Sequence, residues 1–453
     1  MSGRKATTDI IPGRYILSVG KPNMTLPKNW YWVLLSDVAT LATGHTPSRK
    51  KPEYWNGEIP WMAVGDARKV HGKTITETKE YTNQLGIDNS AAVLLPAGTV
   101  CLSRTASIGY SVILGREMST SQGFVNWICS DLLNPRFLQL IFMVENQFLN
   151  ELAEGIAHTT IYFPEVKAFN IGLPSKKIQD LICEKVDKMF FQLDEVKARL
   201  EIIPELLKNF RQAVLNQAVT GKLTEEWRRK TELDDWKESN VGDFMVEVKE
   251  KMNPQESETT NYVGLEHLLK DGGIIDKSTS EALKSSKTVF RSGDVLYGKL
   301  RPYLNKHDVV NFNGVCSTDI LVYRNQFEPS AHFFNYFLGT NSFIQKANSE
   351  SKGINLPRVS SKIINKFSIS IPSKEEQIEI VKRVETLFSK ADQIQKSYQI
   401  LLKKVENLPQ AILQKAFKGD LVKQLPTDGD AKSLLEEIKK LKEELKPKRK
   451  KKL

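Results

Sequence analysis

The sequence contains few cysteines and no long apolar run. Its four cysteines, Cys101, Cys129, Cys183 and Cys316, are far apart in a chain of 453 residues and form no CxxC pair. This argues against a disulfide framework and against a cysteine-bound zinc site. No stretch of about 18 apolar residues occurs, so no membrane-spanning helix is predicted, and the N-terminus lacks the apolar core of a signal peptide. These absences predict a cytoplasmic protein with reduced, buried thiols and no membrane partner.

Motifs for catalysis and cofactor binding are missing as well. The run from Gly65 to Thr74 ends in GKT, but six residues separate Gly65 from Gly72, whereas a phosphate-binding loop needs about four. The six histidines form no HExxH or HxxxH pair, so no metal site is predicted. No [DN]PP[YF] motif and no glycine-rich loop after a strand is present. We therefore expect a chain that is not an enzyme, with no catalytic, cofactor-binding or metal-binding residues of its own.

What the sequence has in excess is positive charge. It contains 65 Lys and Arg against 54 Asp and Glu, a formal net charge of +11, and its pI is near 9.2. Hydrophobic residues make up 40% of the chain and charged residues 26%, values typical of globular proteins. The length predicts about two to four domains. The basic balance favours a polyanionic partner, although a merely soluble basic protein would have the same composition.

The chain contains two copies of one pattern. IGLPSKKIQDLICEKVDKMF begins at Ile171, and the similar ISIPSKEEQIEIVKRVETLF begins at Ile369, 198 residues later. LNQAVTGKL and LQKAFKGDL, which begin at Leu215 and Leu413, keep the same offset. Upstream, LPAGTVCLSR and FRSGDVLYGK correspond at a different offset, which indicates insertions and deletions in the first half of each copy. The pattern predicts a tandem pseudo-repeat of two copies, each about 200 residues long.

The first half of each copy has the pattern of a mixed α/β domain. Short apolar runs broken by Gly, Pro and Asn, such as GEIPWMAVGDA and FVNWIC in the first copy and GDVLYGKL and DILVYR in the second, are typical of strands joined by turns. PRFLQLIFMVENQFLNELA predicts a helix. The predicted organisation is an N-terminal extension (1–25), a first domain (26–174), a long helix (175–222), a linker (223–235), a second domain (236–372), a second long helix (373–421) and a charged tail (422–453).

The second half of each copy predicts a long helix with a heptad seam. Apolar residues recur at spacings of four and three, and each seam position of the second helix lies 198 residues after its counterpart in the first. We expect the two helices to bury each other as an antiparallel coiled coil about 65–70 Å long, which makes the predicted fold class α+β. The alternatives are that each helix packs on its own domain or mediates homodimerisation. The principal seam positions are Val186, Met189, Leu193, Leu200 and Leu207 in the first helix and Val384, Leu387, Tyr398, Leu401 and Val405 in the second.

The ends and interruptions of these helices are also predicted. Ser175 and Ser373 suit N-caps, and Glu376 completes a capping box in the second copy. Pro204 and Pro409 lie inside the helices at non-equivalent positions. Because proline removes a helix hydrogen bond, the two helices should be kinked at different points.

Basic and polar side chains follow the predicted strands of both domains. Arg, Lys, Asn and Gln are side chains that contact phosphates or read base edges, although for any one of them a solvated loop charge is the simpler explanation. Arg104 and Lys299 occupy matched positions in the two copies. Taken with the net charge, the loops as a group favour DNA contact. The candidate DNA-binding residues are Arg49, Lys50, Lys51, Arg68, Arg104, His158, Thr159 and Thr160 in the first domain and Lys299, Arg301, Lys306, Asn355 and Arg358 in the second.

The order of domain, helix, domain, helix resembles the specificity subunit of type I restriction–modification enzymes, in particular the enteric (type IA-like) branch. The resemblance is carried by VDKMFFQLDEVKARLEIIPELLKNFRQAVLNQAVTGKLTEEWR (186–228), by EQIEIVKRVETLFSKADQIQ (376–395) and by ILQKAFKGDLV (412–422). TGHTPSRKKPEYWNGEIPWMAVGD also resembles the start of a target-recognition domain of that family. The resemblance extends from Leu26 to Val422.

The resemblance implies a division of labour. The family's specificity subunit has no catalytic residues; each of its target-recognition domains reads one half of a bipartite sequence in double-stranded DNA. Its helices set the spacing and dock two methyltransferase subunits, which carry S-adenosylmethionine and methylate adenine at N6. Added restriction subunits use ATP and Mg to translocate and cleave DNA. The implied partners are therefore DNA, two methyltransferase subunits and restriction subunits, and no cofactor is expected in this chain.

Two other functions are compatible with parts of the pattern. A coiled-coil scaffold with two non-DNA binding modules would explain the helices and the duplication, but not the positive charge. A self-contained modification enzyme is disfavoured by the missing motifs. The tail LLEEIKKLKEELKPKRKKKL (434–453) lies outside the shared pattern. It has the pattern of a short charged helix that ends in a basic run, but a solvated, disordered end is the preferred interpretation.

Overall fold

The computed structural model describes residues 16–17, 25–105, 107–154, 160–253, 260–281 and 283–444. The chain divides into two compact units. Unit 1 comprises residues 1–197 and 403–453, and unit 2 comprises residues 198–402. Unit 1 is discontinuous because the end of the second long helix and the segment after it pack with the first domain.

Unit 1 is built from short strands, short helices and the start of the first long helix. Its strands are β1 (Ile16–Leu17), β2 (Tyr31–Leu34), β3 (Ala39–Thr43), β4 (Trp55–Met62), β5 (Thr74–Ile75), β6 (Glu80–Thr82), β7 (Val100–Ser103), β8 (Ser111–Leu114), β9 (Ser119–Thr120), β10 (Phe124–Cys129) and β11 (Asn170–Leu173). Its helices are α1 (Leu35–Val38), α2 (Val64–Lys69), α3 (Gln84–Asp88), α4 (Pro135–Val144), α5 (Asn146–Glu154), α6 (Phe163–Lys167) and α7 (Lys176–Glu201), whose last residues enter unit 2.

Unit 2 repeats this order. Its helices are α8 (Ile203–Val219), α9 (Glu225–Lys230), α10 (Val241–Phe244), α11 (Glu328–Leu338), α12 (Asn341–Ser349), α13 (Ser361–Ile364) and α14 (Lys374–Phe417), whose last turns belong to unit 1 together with α15 (Ala431–Glu444). Its strands are β12 (Lys237–Asn240), β13 (Val246–Glu247), β14 (Lys251–Met252), β15 (Asn261–Val263), β16 (Ser278–Thr279), β17 (Lys287–Phe290), β18 (Val295–Gly298), β19 (His307–Val309), β20 (Gly314–Cys316), β21 (Ile320–Arg324) and β22 (Ser368–Ile371).

The sheets of the two units share their central pairings. Unit 1 has sheets of order β1-β11-β2, β3-β10-β7-β8-β5 and β6-β4-β9, and unit 2 has sheets of order β12-β22, β13-β21-β18-β19 and β14-β17-β20-β15-β16. In unit 1, β7 pairs antiparallel with β10, with Leu102 opposite Val125. In unit 2, β18 pairs antiparallel with β21, with Leu296 opposite Val322. β7 and β18 are buried at every residue, as expected for strands covered on both faces. The predicted α+β class with two mixed α/β domains is confirmed.

In unit 1, the domain core forms where α4 meets the long helices. Trp30, Phe137 and Phe417 pack with tilted rings, whose centroids are 5.9 Å apart for Trp30 and Phe137 and 5.2 Å for Phe137 and Phe417. The Gln410 side chain on α14 donates to the carbonyl oxygen of Val144 at 2.8 Å. The first turns of α7 and the last turns of α14 share this apolar cluster.

In unit 2, α11 takes the place of α4. The Gln212 side chain on α8 donates to the carbonyl oxygen of Gly339 at 3.0 Å, and Arg211 on α8 pairs with Asp392 on α14 at 2.7 Å. The last turns of α8 and the first turns of α14 share the apolar cluster of this unit. In both units the start of one long helix therefore meets the end of the other, and the predicted antiparallel pairing is confirmed.

Two buried glutamines occupy equivalent positions in the two copies. Gln179 accepts a hydrogen bond from the Asn134 N–H at 2.8 Å, and its amide donates to the carbonyl of Pro174 at 3.1 Å. Gln377, 198 residues later, accepts from the Ser330 hydroxyl at 2.6 Å, and its amide donates to the carbonyl of Pro372 at 3.0 Å. Each glutamine thus ties the first turn of a long helix to its own domain.

The predicted heptad seam is only half buried. Residues three apart are separated by about 60° around a helix axis, so a helix that turns one heptad position toward its neighbour leaves the other at the edge of contact. The expectation that Leu401 is a buried seam position is wrong, whereas Met189 and Leu387 are partly buried. One position per heptad is buried or nearly so: Val186, Leu193, Leu200, Leu207 and Val214, and their counterparts Val384, Ala391, Tyr398, Val405 and Ile412. The alternate positions Val196, Phe210, Ile394, Leu401 and Leu408 are 39–52% exposed; we call these five residues the exposed heptad residues.

The two prolines act differently. α7 ends at Glu201 and α8 begins at Ile203, so Pro204 stands in the first turn of a new helix, where its missing N–H costs little. The long helix predicted over residues 175–222 is present as a bent helix over 176–219, and the kink expected at Pro204 falls at Ile202, between α7 and α8. Pro409 lies inside α14, which continues to Phe417.

Glu376 does not complete the predicted capping box. Ser373 is the N-cap, because its hydroxyl accepts from the Glu376 N–H at 3.2 Å. The Glu376 carboxylate is instead fully buried and accepts from the Thr224 hydroxyl at 2.6 Å, from Arg228 at 3.0 Å and from the Trp236 indole at 3.0 Å. It thereby fixes the segment after α8 to the start of α14, a tertiary role that local sequence spacing cannot predict.

The disorder expected for the C-terminal tail (434–453) is wrong for residues 434–444, which belong to α15. Ala431, Leu434 and Ile438 of α15 are buried, and Leu434 and Ile438 belong to the apolar cluster of unit 1. The Ser175 hydroxyl donates to the backbone carbonyl of Asp428 at 2.7 Å, which fixes the preceding turn to the start of α7. The charged residues of the tail form the outer face of an amphipathic helix. The basic run after Glu444 lies outside the described residues.

Two further expectations concern cysteines and membranes. The four cysteines are free, and burial raises the pKa of Cys183 and of Cys316 to about 12. Both thiols are therefore protonated at neutral pH. In the part of the chain that the structure describes, no helix is both long and apolar enough to cross a membrane.

Glu145 makes the stability of unit 1 dependent on pH. It is 7% exposed at the end of α4, and burial raises its pKa from 4.5 to about 8. The folded chain therefore binds this proton more tightly than the unfolded chain, and the associated stability is lost as pH rises from 4.5 toward 8. We expect Glu145→Gln, which cannot ionise, to stabilise the chain by about 1–3 kcal/mol at pH 8 and to change little at pH 4. Thermal unfolding at both pH values measures this, and an equal gain at both would contradict it.

Candidate nucleic-acid interface

Three segments of unit 1 meet at Arg104, immediately after β7. The Arg104 backbone N–H donates to the carbonyl of Gly123 at 2.8 Å, and its carbonyl accepts from the Ile161 N–H at 2.9 Å. Next to this, Thr105 and Thr160 form an isolated antiparallel bridge. The end of β7, the turn between β9 and β10, and the loop before α6 are thereby held at one edge of the domain.

The same three contacts occur in unit 2 at Lys299, immediately after β18. The Lys299 backbone N–H donates to the carbonyl of Asp319 at 2.9 Å, and its carbonyl accepts from the Val359 N–H at 3.1 Å. Leu300 and Arg358 form the adjacent bridge. Arg104 and Lys299, matched in sequence, thus stand at equivalent points of one backbone frame.

A fourth segment joins this frame in both units. The Ser121 N–H donates to the carbonyl of Met62 at 3.0 Å in unit 1, and the Ser317 N–H donates to the carbonyl of Val263 at 2.9 Å in unit 2. β4 runs parallel to β9 and β15 runs parallel to β20, so the carboxyl ends of these strands lie together. We call the resulting four-segment edge of each unit the reading edge.

The Arg104 side chain is half-buried and keeps unused donors. Its Nη1 donates to the carbonyl of Ile161 at 3.3 Å, and its guanidinium lies 4.7 Å from the ring centroid of Phe163. Its Nε–H has no acceptor among the described residues. Burial lowers its pKa, yet an arginine remains charged at neutral pH. A partly dehydrated cation with a free donor can form strong hydrogen bonds to phosphate or to a base edge.

The basic residues of unit 2 differ in whether their side chains already bond to acceptors of the protein. Lys306 Nζ donates to the carbonyl of Leu265 at 2.7 Å, and Arg358 pairs with Asp319 at 3.1 Å. Arg301 is exposed and has the left-handed φ of 55°. Lys299, Arg301 and Arg358 therefore lie together at the reading edge, where Arg301 and Arg358 are exposed and Lys299 is partly buried.

The basic cluster near residue 50 is engaged within the protein. Arg49 forms a two-point ion pair with Glu80, of which the Nη2–Oε2 bond measures 2.8 Å, and its guanidinium lies 4.0 Å from the Trp55 ring centroid. Lys51 Nζ donates to the Tyr54 hydroxyl at 2.9 Å. Arg49 therefore contacts both β6 and β4, Lys51 is bonded within the turn before β4, and no described contact joins either cation to Arg104.

The remaining predicted residues are placed as follows. Arg68 Nε donates to the Tyr110 hydroxyl at 3.1 Å. Lys50 and Asn355 are exposed. His158 and Thr159 lie outside the described residues, next to Thr160 of the reading edge.

Sequence reasoning missed several side chains of the reading edge. Gln122 and Thr318 are the exposed middle residues of the equivalent turns SQG and STD. Asp66 Oδ2 accepts from the Ala63 N–H at 3.1 Å, and His267 Nδ1 accepts from the equivalent Gly264 N–H at 3.0 Å. The repeat itself gives the signal, since each of these pairs follows a matched strand. In the described part of the chain, no group of three or more His, Cys, Asp or Glu side chains could hold a metal ion.

Comparison with known proteins decides the family. The model of the type I restriction modification DNA specificity domain matches residues 27–203 and 233–404. The chain belongs to this family. The specificity-domain model matches once in each copy of the repeat, and the resemblance predicted from the sequence is confirmed.

Three specificity subunits from enteric bacteria are similar to this chain over almost their whole length. The chain is 30% identical to the type I restriction enzyme EcoDI specificity subunit of Escherichia coli, over 93% of this chain and 96% of the relative. It is also 30% identical to the EcoKI specificity subunit of Escherichia coli strain K12, over 93% and 97%, and to the StySPI specificity subunit of Salmonella potsdam, over 91% and 96%.

Solved structures show the same fold. The HsdS subunit from Thermoanaerobacter tengcongensis matches with a TM-score of 0.59 and 18% identity, over 88% of this chain and 99% of that chain. A chain solved in work on complex assembly and conformational transition of the type I R-M system matches with a TM-score of 0.61 and 17% identity, over 88% and 100%. The two mixed α/β domains and the long helices are therefore the fold of the specificity-domain family.

Proposed function

We propose that this chain is the DNA-specificity subunit of a type I restriction–modification enzyme, and that each domain reads one half of a bipartite target in double-stranded DNA. The observation that carries the proposal is the duplicated reading edge. One backbone frame presents Arg104 and Thr160 in unit 1, and Lys299 and Arg358 in unit 2. Equal frames with different side chains suit two half-sites of different sequence, because base edges are distinguished by side-chain donors and acceptors.

The long helices set the spacing between half-sites and dock two methyltransferase subunits. α14 is one helix of 44 residues, about 66 Å at 1.5 Å per residue, and such a length suits a fixed spacer. The exposed heptad residues support docking, since exposed apolar side chains are found at protein interfaces.

The partner subunits carry out the catalytic steps. The methyltransferase subunits hold S-adenosylmethionine and methylate adenine, the restriction subunits use ATP and Mg, and this chain contributes no catalytic residue and no cofactor. The assembled enzyme works in the cytoplasm, where its DNA lies.

The proposal is tested by reconstitution of this chain with type I methyltransferase subunits from the same genome. Sequencing of methylated adenines in DNA exposed to the complex should reveal one bipartite motif with a fixed spacer, and the chain alone should transfer no methyl group. Methylation by the purified chain without partners, or methylation of a continuous motif, would overturn the proposal.

Single substitutions at the reading edge should each damage one half-site. Arg104→Ala should reduce discrimination at the half-site read by unit 1, and Lys299→Ala at the half-site read by unit 2, by about 1–3 kcal/mol each if the side chains contact bases. Binding of the complex to duplexes mutated in one half-site at a time measures this. Arg49→Ala is a matched control, because that guanidinium is already occupied by Glu80.

Salt separates base contacts from phosphate contacts. Affinity of the complex should fall steeply with salt concentration, because bound phosphates release counterions. If Arg104→Ala or Lys299→Ala weakens target and scrambled DNA equally, the residue is a phosphate contact and does not read sequence.

A further inference from the structure

A short hairpin projects from the reading edge of unit 2. The Lys352 N–H donates to the carbonyl of Arg358 at 2.9 Å, and the Arg358 N–H donates back to the carbonyl of Lys352 at 2.9 Å. Gly353, with a left-handed φ of 102°, starts the turn. The base of the hairpin is held by the Arg301 N–H, which donates to the carbonyl of Pro357 at 2.7 Å. A tip anchored at its base in this way has a fixed direction relative to the domain.

The tip of this hairpin is apolar. Ile354 is 100% exposed and Leu356 is 46% exposed, with the exposed Asn355 between them. A completely exposed isoleucine at the end of a fixed projection makes no contact with its own chain, so its side chain gains most if a partner buries it. Burial of one such side chain improves binding by about ten- to a hundredfold.

The surroundings of the tip are basic. Lys352 and Arg358 form the base of the hairpin, and Lys299 and Arg301 lie on the segment that the hairpin is bonded to. One carboxylate, Asp319, pairs with Arg358 at 3.1 Å. An apolar point in a basic surround is complementary to duplex DNA, whose phosphates border an apolar base stack. Apolar side chains inserted at a base step partly unstack it and kink the duplex.

We propose that Ile354 is a wedge that inserts at a base step of the half-site read by unit 2. The inference rests on the proposed DNA-reading function and adds to it a local deformation of the DNA. The basic residues hold the phosphates on either side of the step, and Asn355 is carried to the base edges next to it. Sequence preference at this step then comes from how easily it unstacks, since pyrimidine–purine steps deform more readily than others.

The experiment uses the complex with its methyltransferase subunits and a duplex carrying its bipartite target. 2-Aminopurine, whose fluorescence rises on unstacking, replaces successive bases across the half-site read by unit 2. The variants are Ile354→Ala, which removes the wedge, and Ile354→Leu, which keeps an apolar one. Val246→Ala is the control, because Val246 is 69% exposed on β13 in the same unit.

The wild-type complex and the Leu variant should raise the fluorescence at one base step. Ile354→Ala should abolish that rise and weaken binding about tenfold or more, whereas Val246→Ala should change neither. An abasic nucleotide at the same step should tighten wild-type binding, since the cost of unstacking is then removed.

The outcomes separate the two levels of inference. A wild-type complex that binds scrambled DNA as tightly as its target overturns the proposed function itself. A complex that discriminates its target with no fluorescence change at any position, or with equal affinity for Ile354→Ala, overturns the wedge alone. Loss of methyltransferase subunits from the Ile354→Ala complex also overturns the wedge and assigns the tip to protein docking.

Discussion

Leu200→Glu is expected to abolish assembly and DNA specificity together. Leu200 is 8% exposed and belongs to the buried stripe that repeats every seven residues along the long helices. An unpaired carboxylate buried there costs several kcal/mol, a large fraction of the stability of an ordinary domain, about 5–15 kcal/mol. Circular dichroism melting and co-purification with the methyltransferase subunits measure the two consequences.

Leu206→Glu is the matched control for this substitution. Leu206 lies six residues away on α8 and is 57% exposed, so the same change of side chain there should leave the folded helices intact. If the exposed apolar residues dock the methyltransferase, Leu206→Glu should weaken its binding without lowering the melting temperature. A folded Leu200→Glu protein that still assembles and methylates its original sequence would contradict the role of the buried stripe.

The buried stripe also shows what the apolar spacing of the sequence can predict about the long helices and what it cannot. The heptad spacing, repeated at a constant offset of 198 residues, predicted both helices, and the need to bury the two seams predicted their antiparallel pairing. It did not predict that only one heptad position would be buried. Apolar spacing is the same whether a residue faces a neighbouring helix or an external partner, so Leu200 and Leu401 are indistinguishable in sequence.

The other features that the sequence did not predict depend on long-range contacts and on loop geometry. Glu376 has the spacing of a capping box, yet its carboxylate is bound by Trp236 and by two other residues more than 140 positions away in sequence. The high charge of the tail made it resemble a disordered segment. Three apolar residues are nevertheless enough to bury one face of α15. At the reading edge, the match of Arg104 with Lys299 followed from the repeat. The ion pair between Arg49 and Glu80 and the apolar tip at Ile354 did not follow from the repeat, because the composition of the strands does not determine which loops meet.

Exchange of residues 26–174 for the matching domain of a relative should change one half of the methylated sequence and leave the other half and the spacer unchanged. Each unit has its own apolar cluster and its own reading edge, so the side chains that read one half-site are all replaced at once. Each mismatched base pair costs about 1–3 kcal/mol, roughly additively. Two or three changed positions therefore shift the preference between old and new half-sites by about a hundredfold or more.

The donor domain must preserve the contacts that unit 1 makes with the helices. Trp30 and Phe137 pack on Phe417 of α14, and loss of one buried aromatic side chain costs about 3–5 kcal/mol. A donor with aromatic residues at both positions should give a folded chimera, and one with alanine at position 137 should not. With a folded chimera, the methylated motif is a direct readout: because α7, α8 and α14 are unchanged, the distance between half-sites has no reason to move. A motif altered in both halves, or one with a new spacer length, would mean that the domains do not read independently and that the helices alone do not set the gap.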